Sequence, residues 1–202
     1  MVGMQKVALS EKQQDRELVH KLQEGDLEAL GVLYDRYRHL VYRSALSITN
    51  DPESAADLLQ DVFLRLFRFA HRIDPERPIQ PWLYRMTANL SYTWIKRKSR
   101  GRRLIHEMAE HLVREKKPSV SSMAERDEQW LQVRGAIASL PIHQRLVVVL
   151  YYINDLPMSE ISEILEIPVG TVKSRLHYAR NDLKRKLGVH RDQLREVLYE
   201  AT

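Results

Sequence analysis

Between residues 51 and 70 the apolar side chains Ala55, Leu58, Leu59, Val62, Phe63, Leu66, Phe67 and Ala70 recur every three or four positions. At 100° per residue they gather on one broad side of an α-helix, and a stripe that wide must be buried against other helices. Asp51 is placed to cap the first turn, and Pro52 stands where a missing N–H costs nothing. The same patterning predicts helices over Asp15 to Gln23 and Leu27 to Ser47, broken at Gly25-Asp26 with Asp26 as N-cap. A fourth helix is expected from Trp82 to about Lys98, after a loop at Asp74 to Pro81 that holds Pro75, Pro78 and Pro81. Four more helices are expected between Met123 and Leu187, with breaks at Ser139-Leu140-Pro141, at Asn154 to Pro157 and at Glu166-Ile167-Pro168. With 7 glycines and 3 phenylalanines in 202 residues, and abundant Leu, Glu, Arg and Lys, composition also favours helix over sheet. The expectation is an all-α chain of two small helical domains, 14–103 and 123–188, joined by a flexible linker at 104–122 and flanked by tails at 1–13 and 189–202. Acidic residues of the linker region, such as Glu107, Glu110 and Glu115, carry a weak polyanion-like signal that Arg114, Lys116 and Lys117 dilute.

Several function classes are disfavoured. The chain has no cysteine, which excludes a disulfide framework, a thiolate zinc site and thiol redox sensing. Its eight histidines are scattered, with no His-x-x-x-His pair, so neither a metal site nor a cofactor is expected. Asp57 and Asp61 are paired acids, but no His or third carboxylate is fixed beside them, and an enzyme is not expected. Met1 to Glu17 lacks the apolar core of a signal peptide, and the most apolar run, Leu146 to Ile153, is far too short to cross a membrane. A cytoplasmic protein without membrane insertion is therefore expected. Basic residues outnumber acidic ones only 32 to 27, so the positive charge matters through clustering. Lys96, Arg97, Lys98, Arg100, Arg102 and Arg103 place six cations within eight residues, which suits a polyanion, although a solvated helix end favoured by the dipole would look the same.

The segment Leu156 to Leu187 is the most informative. Ser159 is placed to cap a short helix burying Ile161, Ile164 and Leu165, and a tight turn at Glu166-Ile167-Pro168 leads to a second helix from Val169. On that helix Val172, Leu176, Ala179, Leu183 and Leu187 line one side, while Ser174, His177, Tyr178 and Asn181 lie opposite, flanked by Gly170, Thr171 and Lys173. This is the pattern of a helix-turn-helix, whose second helix enters the major groove. Polar side chains of moderate length suit base edges, and Arg175, Arg180, Lys184 and Arg185 suit phosphates. A merely solvated bundle face would fit the pattern about as well. The wording PVGTVKSRL at Pro168 to Leu176, after SEISEIL and LPIHQRLVVVLYYINDLP, closely resembles the promoter-reading domain of extracytoplasmic-function sigma factors of bacterial RNA polymerase. The resemblance implies that Thr171, Lys173, Ser174, Arg175, His177, Tyr178 and Asn181 contact the −35 element. Tyr178 stands where many relatives have Arg, and Glu166 where Gly or Asn often closes the turn.

The N-terminal half carries two further surfaces. Asp57, Gln60, Asp61, Leu64 and Arg68 share a second face of the third helix, which alone reads as an ordinary solvated face. On the fourth helix Leu83, Met86, Leu90 and Trp94 form the core side, while Trp82, Arg85, Asn89, Tyr92 and Lys96 line another where rings and cations alternate. Rings stack splayed bases and cations follow a single-stranded backbone, though buried aromatics with polar tips would give the same letters. DLLQDVFLRLF at Asp57 to Phe67 and PWLYRMTANL at Pro81 to Leu90 also resemble this sigma-factor group. That implies docking of Asp57, Gln60, Asp61, Leu64 and Arg68 on the β′ clamp coiled coil of core RNA polymerase, with the β flap as a further contact. It also implies reading and opening of the −10 element by the loop Ile73 to Gln80 together with Arg85, Asn89, Tyr92, Lys96 and Arg97.

The implied protein is a sigma factor that binds core polymerase, duplex promoter DNA and the non-template single strand, and that is held in check by an anti-sigma factor. A dimeric helix-turn-helix regulator acting on duplex DNA alone is the competing expectation.

Overall fold

The computed structural model describes residues 2–109, 125–188 and 197, with side chains placed over 13–100, 131–188 and at Val197. The stretch 110–124, where most of the expected linker lies, and nearly all of the tail 189–202 fall outside the described residues. Every regular element among those described is helical: α1 (Val2–Gln23), α2 (Leu27–Thr49), α3 (Pro52–Arg68), α4 (Ile79–Ala109), α5 (Glu125–Ala138), α6 (Ile142–Val148), α7 (Met158–Leu165) and α8 (Val169–Leu187). A single 3₁₀ turn, Ala70–Arg72, follows α3, and α6 runs directly into a π-helical turn, Val149–Ile153.

Local chemistry sets most of the boundaries. The Asp26 carboxylate accepts from the backbone N–H of Glu28 at 2.8 Å and of Ala29 at 3.3 Å, which satisfies two donors that α2 leaves free. Asp51 does the same for Ser54 ahead of α3, with Pro52 just inside the helix. Asn50 and Glu166 end α2 and α7 in the left-handed region (φ 55° and 52°), and Gly188 ends α8 likewise. Several expected boundaries are corrected. α1 starts at Val2, well before Asp15, and α4 continues past Lys98 to Ala109, into the segment expected as linker. The loop before α4 ends at Pro78, because Pro81 sits in the first turn of the helix, where no N–H is required of it. α7 begins at Met158 after Pro157, so Ser159 lies inside the helix and caps nothing.

α1 to α4 enclose one core around Leu22, Leu33, Val41, Val62, Leu66 and Leu83. Trp82, which spacing put on the face where rings and cations alternate, packs on the edge of this core. Phe67, expected to belong to the apolar stripe of α3, is 37% exposed, because the stripe is wider than the groove that receives it.

The second core, built on Ile137, Val147, Leu150, Ile161, Leu176 and Leu183, does not stop at the C-terminal helices. It takes in Ile48 of α2 and both Tyr84 and Ala88 of α4, so the two halves pack directly on one another. Val197 is packed against this same core. Three polar contacts cross the junction. The Asn154 amide donates to the buried Ser44 hydroxyl at 2.9 Å, and that hydroxyl donates to the Leu40 carbonyl at 2.7 Å. The Arg145 guanidinium donates to the Ile48 carbonyl at the end of α2 at 2.7 Å, to Leu140 at 3.1 Å and to the last carbonyl of α5, Ala138. Helix C-termini leave such carbonyls without partners, and one partly buried cation ties two of them together. Arg85 of α4 forms an ion pair with Glu166 in the turn between α7 and α8.

Candidate nucleic-acid interface

α7 and α8 form the helix-turn-helix. The turn is held by Ile167 N–H donating to the Ser162 carbonyl at 3.1 Å, while the Ser162 hydroxyl donates to the Ile167 carbonyl. Glu166 takes the positive φ that the tight turn demands, at a cost on the order of 1 kcal/mol for a residue with a Cβ. α8 then buries Val172, Leu176, Ala179 and Leu183, which turns Lys173, Ser174, His177, Tyr178 and Asn181 outward, the first four along a shallow groove that also touches Met158 and Gly170. Tyr178 is 62% exposed and stacks edge-to-face on His177 at 5.7 Å, and the Asn181 amide lies 3.3 Å from the His177 ring nitrogen. Three polar tips are thus held side by side on a rigid helix. Thr171 and Arg175 lie half-buried at the flank of this row. Arg180, read from spacing as a phosphate contact, is turned back instead: its Nε donates to the Tyr152 hydroxyl at 2.7 Å, and the guanidinium lies over the rings of Tyr151 and Tyr152. Those tyrosines belong to the π turn, which no spacing rule could have placed beside α8.

α4 presents Gln80, Asn89, Lys96 and Arg97 to solvent. Arg85 is engaged by Glu166, and Tyr92 is half-buried, its ring 5.3 Å from that of His143 on α6, with Lys96 Nζ 5.6 Å from the Tyr92 ring centre. Lys98 is committed to its own fold: its ammonium lies 2.9 Å from Asp51 and 4.4 Å from the Trp94 ring centre, so the basic run is anchored to the start of α3. The bond from Lys98 holds the Asp51 carboxyl below its usual range. His143 is held below its ordinary pKa by burial and by the nearby cations Arg175 and Lys96.

The loop between the 3₁₀ turn and α4 is positioned by a residue the spacing did not single out. Gln23, the last residue of α1, donates from its amide to the carbonyls of Ala70 at 3.1 Å and Ile73 at 2.8 Å. The side chain of Ile73 itself is buried in the N-terminal core, so it supports the loop from beneath and does not reach its surface. Asp74 accepts from Glu76 N–H at 3.0 Å and closes the loop. A cleft of about 910 Å³ separates this loop from the α7–α8 turn, with Arg72, Arg77 and Arg85 on one wall and Glu160, Glu163 and Glu166 on the other.

Asp57, Gln60, Asp61, Leu64 and Arg68 share one exposed face of α3, with Leu64 64% exposed at its middle. Among the described residues no group of His, Cys, Asp or Glu could hold a metal ion, and no helix is long and apolar enough to cross a membrane.

A helix-turn-helix with a polar outer face, beside a long helix where rings and cations alternate, is the architecture of a nucleic-acid-binding protein. The sigma-70 region 2 family model matches residues 33–101, and the sigma-70, region 4 model matches residues 130–183. The ECF RNA polymerase sigma factor SigW of Bacillus subtilis is 31% identical over 176 residues, covering 84% of this chain and 94% of its own length. The ECF RNA polymerase sigma-E factor of Escherichia coli is 28% identical over 188 residues, covering 89% and 97%. Among solved structures, CnrH in complex with the cytosolic domain of CnrY superposes with a TM-score of 0.63 at 22% identity, over 87% of this chain and 97% of that one. The sigma factor RpoE of Bartonella quintana, in complex with the anti-sigma factor NepR, gives 0.60 at 20% identity, over 81% and 97%. The chain belongs to the sigma-70 family, in its extracytoplasmic-function group, and is a sigma factor directing transcription initiation. Because the matches span both halves, the dimeric duplex-only regulator is not favoured.

Proposed function

We propose that this sigma factor divides its work among three surfaces. The α3 face of Asp57, Gln60, Asp61, Leu64 and Arg68 docks on core RNA polymerase, at the β′ clamp coiled coil. Carboxylates steer the encounter with a basic partner, and the exposed Leu64 supplies packing at the centre. Gln80, Arg85, Asn89, Tyr92, Lys96 and Arg97 on α4, with the loop after Ile73, capture the non-template strand of the −10 element. Lys173, Ser174, His177, Tyr178 and Asn181, flanked by Thr171 and Arg175, read the −35 duplex. Melting is then driven by binding: exposed bases are stacked and held, and no nucleotide is hydrolysed. The protein works in the cytoplasm beside the polymerase, its C-terminal helices meet the β flap, and an anti-sigma factor restrains it. The pairing of RpoE with NepR supports that last point.

The observation that carries this reading is the outer face of α8, where three polar side chains are buttressed against each other and none is needed by the fold. In vitro transcription with purified core polymerase on a promoter library tests it. Initiation from a distinct promoter set that depends on this protein is expected, and well-folded protein that gives neither initiation nor a complex with core overturns it. Asp61→Arg is expected to weaken core binding without unfolding the chain. Asn89→Ala is expected to impair promoter opening more than core binding, and equal loss of both would make Asn89 structural.

A further inference from the structure

Around Tyr178 the nearest hydrogen-bond donors of α8 are engaged within the protein. The Ser174 hydroxyl, one turn earlier on the same face, donates to the Thr171 carbonyl at 3.0 Å. The Asn181 amide nitrogen lies 3.3 Å from the His177 ring nitrogen, and Arg180 gives its Nε to the Tyr152 hydroxyl at 2.7 Å. What projects at this point of the helix is a ring. Tyr178 is 62% exposed yet braced, because its ring stands at 79° to that of His177 with the centroids 5.7 Å apart. Asn181, His177 and Tyr178 thus support one another in series. The phenol borders a groove of about 500 Å³ that is also lined by the half-buried Met158 and by Gly170. A Cβ at Gly170 would meet nothing within 4 Å, so that end of the groove is open.

The major groove of DNA offers such a surface one apolar feature, the C5 methyl of thymine, among base edges otherwise made of donors and acceptors. A phenol has a single hydroxyl and cannot form the paired hydrogen bonds that arginine makes with guanine or asparagine with adenine. Its ring, however, can cover a methyl group at little entropic cost, since tyrosine has only two torsions to fix and His177 already restrains them. We propose that Tyr178 is a specificity-determining residue, which selects a thymine in the −35 element by packing its ring on the thymine methyl. His177 and Asn181 are positioning residues for that ring. This rests on the reading of α8 as the helix that meets the −35 duplex.

The test uses holoenzyme assembled from core polymerase and the full-length chain, on a promoter that it selects from a library. Every thymine of the −35 element, on either strand, is replaced in turn by uracil, which removes the methyl and leaves base pairing unchanged. At one position the wild type should lose about fourfold in affinity, the effect of one buried methyl group. Tyr178→Ala should bind thymine and uracil equally there, Tyr178→Phe should discriminate like the wild type, and Asn181→Ala should discriminate less. Tyr178→Arg should move the preference at that position from thymine to guanine by about tenfold. Equal binding of thymine and uracil at every position, or a selected −35 element without thymine, would overturn the proposal and leave the sigma reading standing. Discrimination that persists in Tyr178→Ala would assign the methyl to another residue, and its loss in Tyr178→Phe would assign the contact to the hydroxyl; either overturns the packing. Failure to select any promoter would overturn the sigma reading, and the proposal with it. Tyr178 is exposed, so its variants should unfold at the wild-type temperature, and a thermal scan separates lost reading from lost fold.

Discussion

Single residues here often serve two ends at once. Asp51 caps α3 through Ser54 and also receives Lys98 from α4, so one carboxylate fixes a helix start and the root of a basic cluster. Asp51→Ala should cost about 1 kcal/mol in urea unfolding, the usual worth of an N-cap. Its folded pKa is lowered, so its contribution is present above the unfolded carboxylate range and is lost as pH falls through the folded value. His143 behaves in the opposite chemical sense with the same pH direction. Partial burial and the cations Arg175 and Lys96 disfavour its charge, so its contribution to stability is present above the ordinary imidazole range and is lost as pH falls below it. Urea unfolding at pH 8 and pH 5.5 should show lower stability at the lower pH, and His143→Gln should reduce the difference.

Among the elements, α8 carries the clearest coupling of fold to function. Its inner side is a stripe of Val172, Leu176, Ala179 and Leu183, each fully or almost fully buried, and that burial is what aims His177, Tyr178 and Asn181 outward. Leu176→Ala should therefore destabilise the chain by about 2–5 kcal/mol and weaken −35 duplex binding, with no contact to DNA of its own. Thermal unfolding and duplex titration check the two halves of that expectation. By contrast, Tyr178→Ala should leave stability within about 0.5 kcal/mol, as an exposed site does, and change −35 binding alone. α4 is a harder case. Spacing placed Leu83, Met86, Leu90 and Trp94 on its core side, and those residues do face the N-terminal bundle or its edge. It offered no reason to expect Tyr84 and Ala88 to be buried as well. They are buried because a second layer of helices lies across α4, and a pattern read along one helix cannot report a partner that arrives from eighty residues away.

At the scale of the whole molecule, the role proposed for the α4 and α8 cations has one consequence: promoter binding by the holoenzyme should fall steeply and linearly in log–log form as salt rises. Mutating Lys96 or Arg97 should reduce that slope by about one each, whereas Tyr178→Ala should leave the slope nearly unchanged; a filter-binding series across salt separates the two.

The sequence by itself determined what depends on neighbours along the chain. Asp26, Asp51 and Pro52 mark helix starts because capping and φ restriction act within a turn, and the three- and four-residue spacing marks core sides because helix geometry is uniform. The helix-turn-helix pattern was legible for the same reason, and the turn at Glu166-Ile167-Pro168 with it. Only the tertiary structure decided that Gln23 holds the loop after α3, that Arg180 belongs to Tyr152, and that Ser44 meets Asn154. Each of those is a hydrogen bond between residues distant in sequence. Its partners are chosen by how whole helices pack, and no local propensity or period encodes that choice.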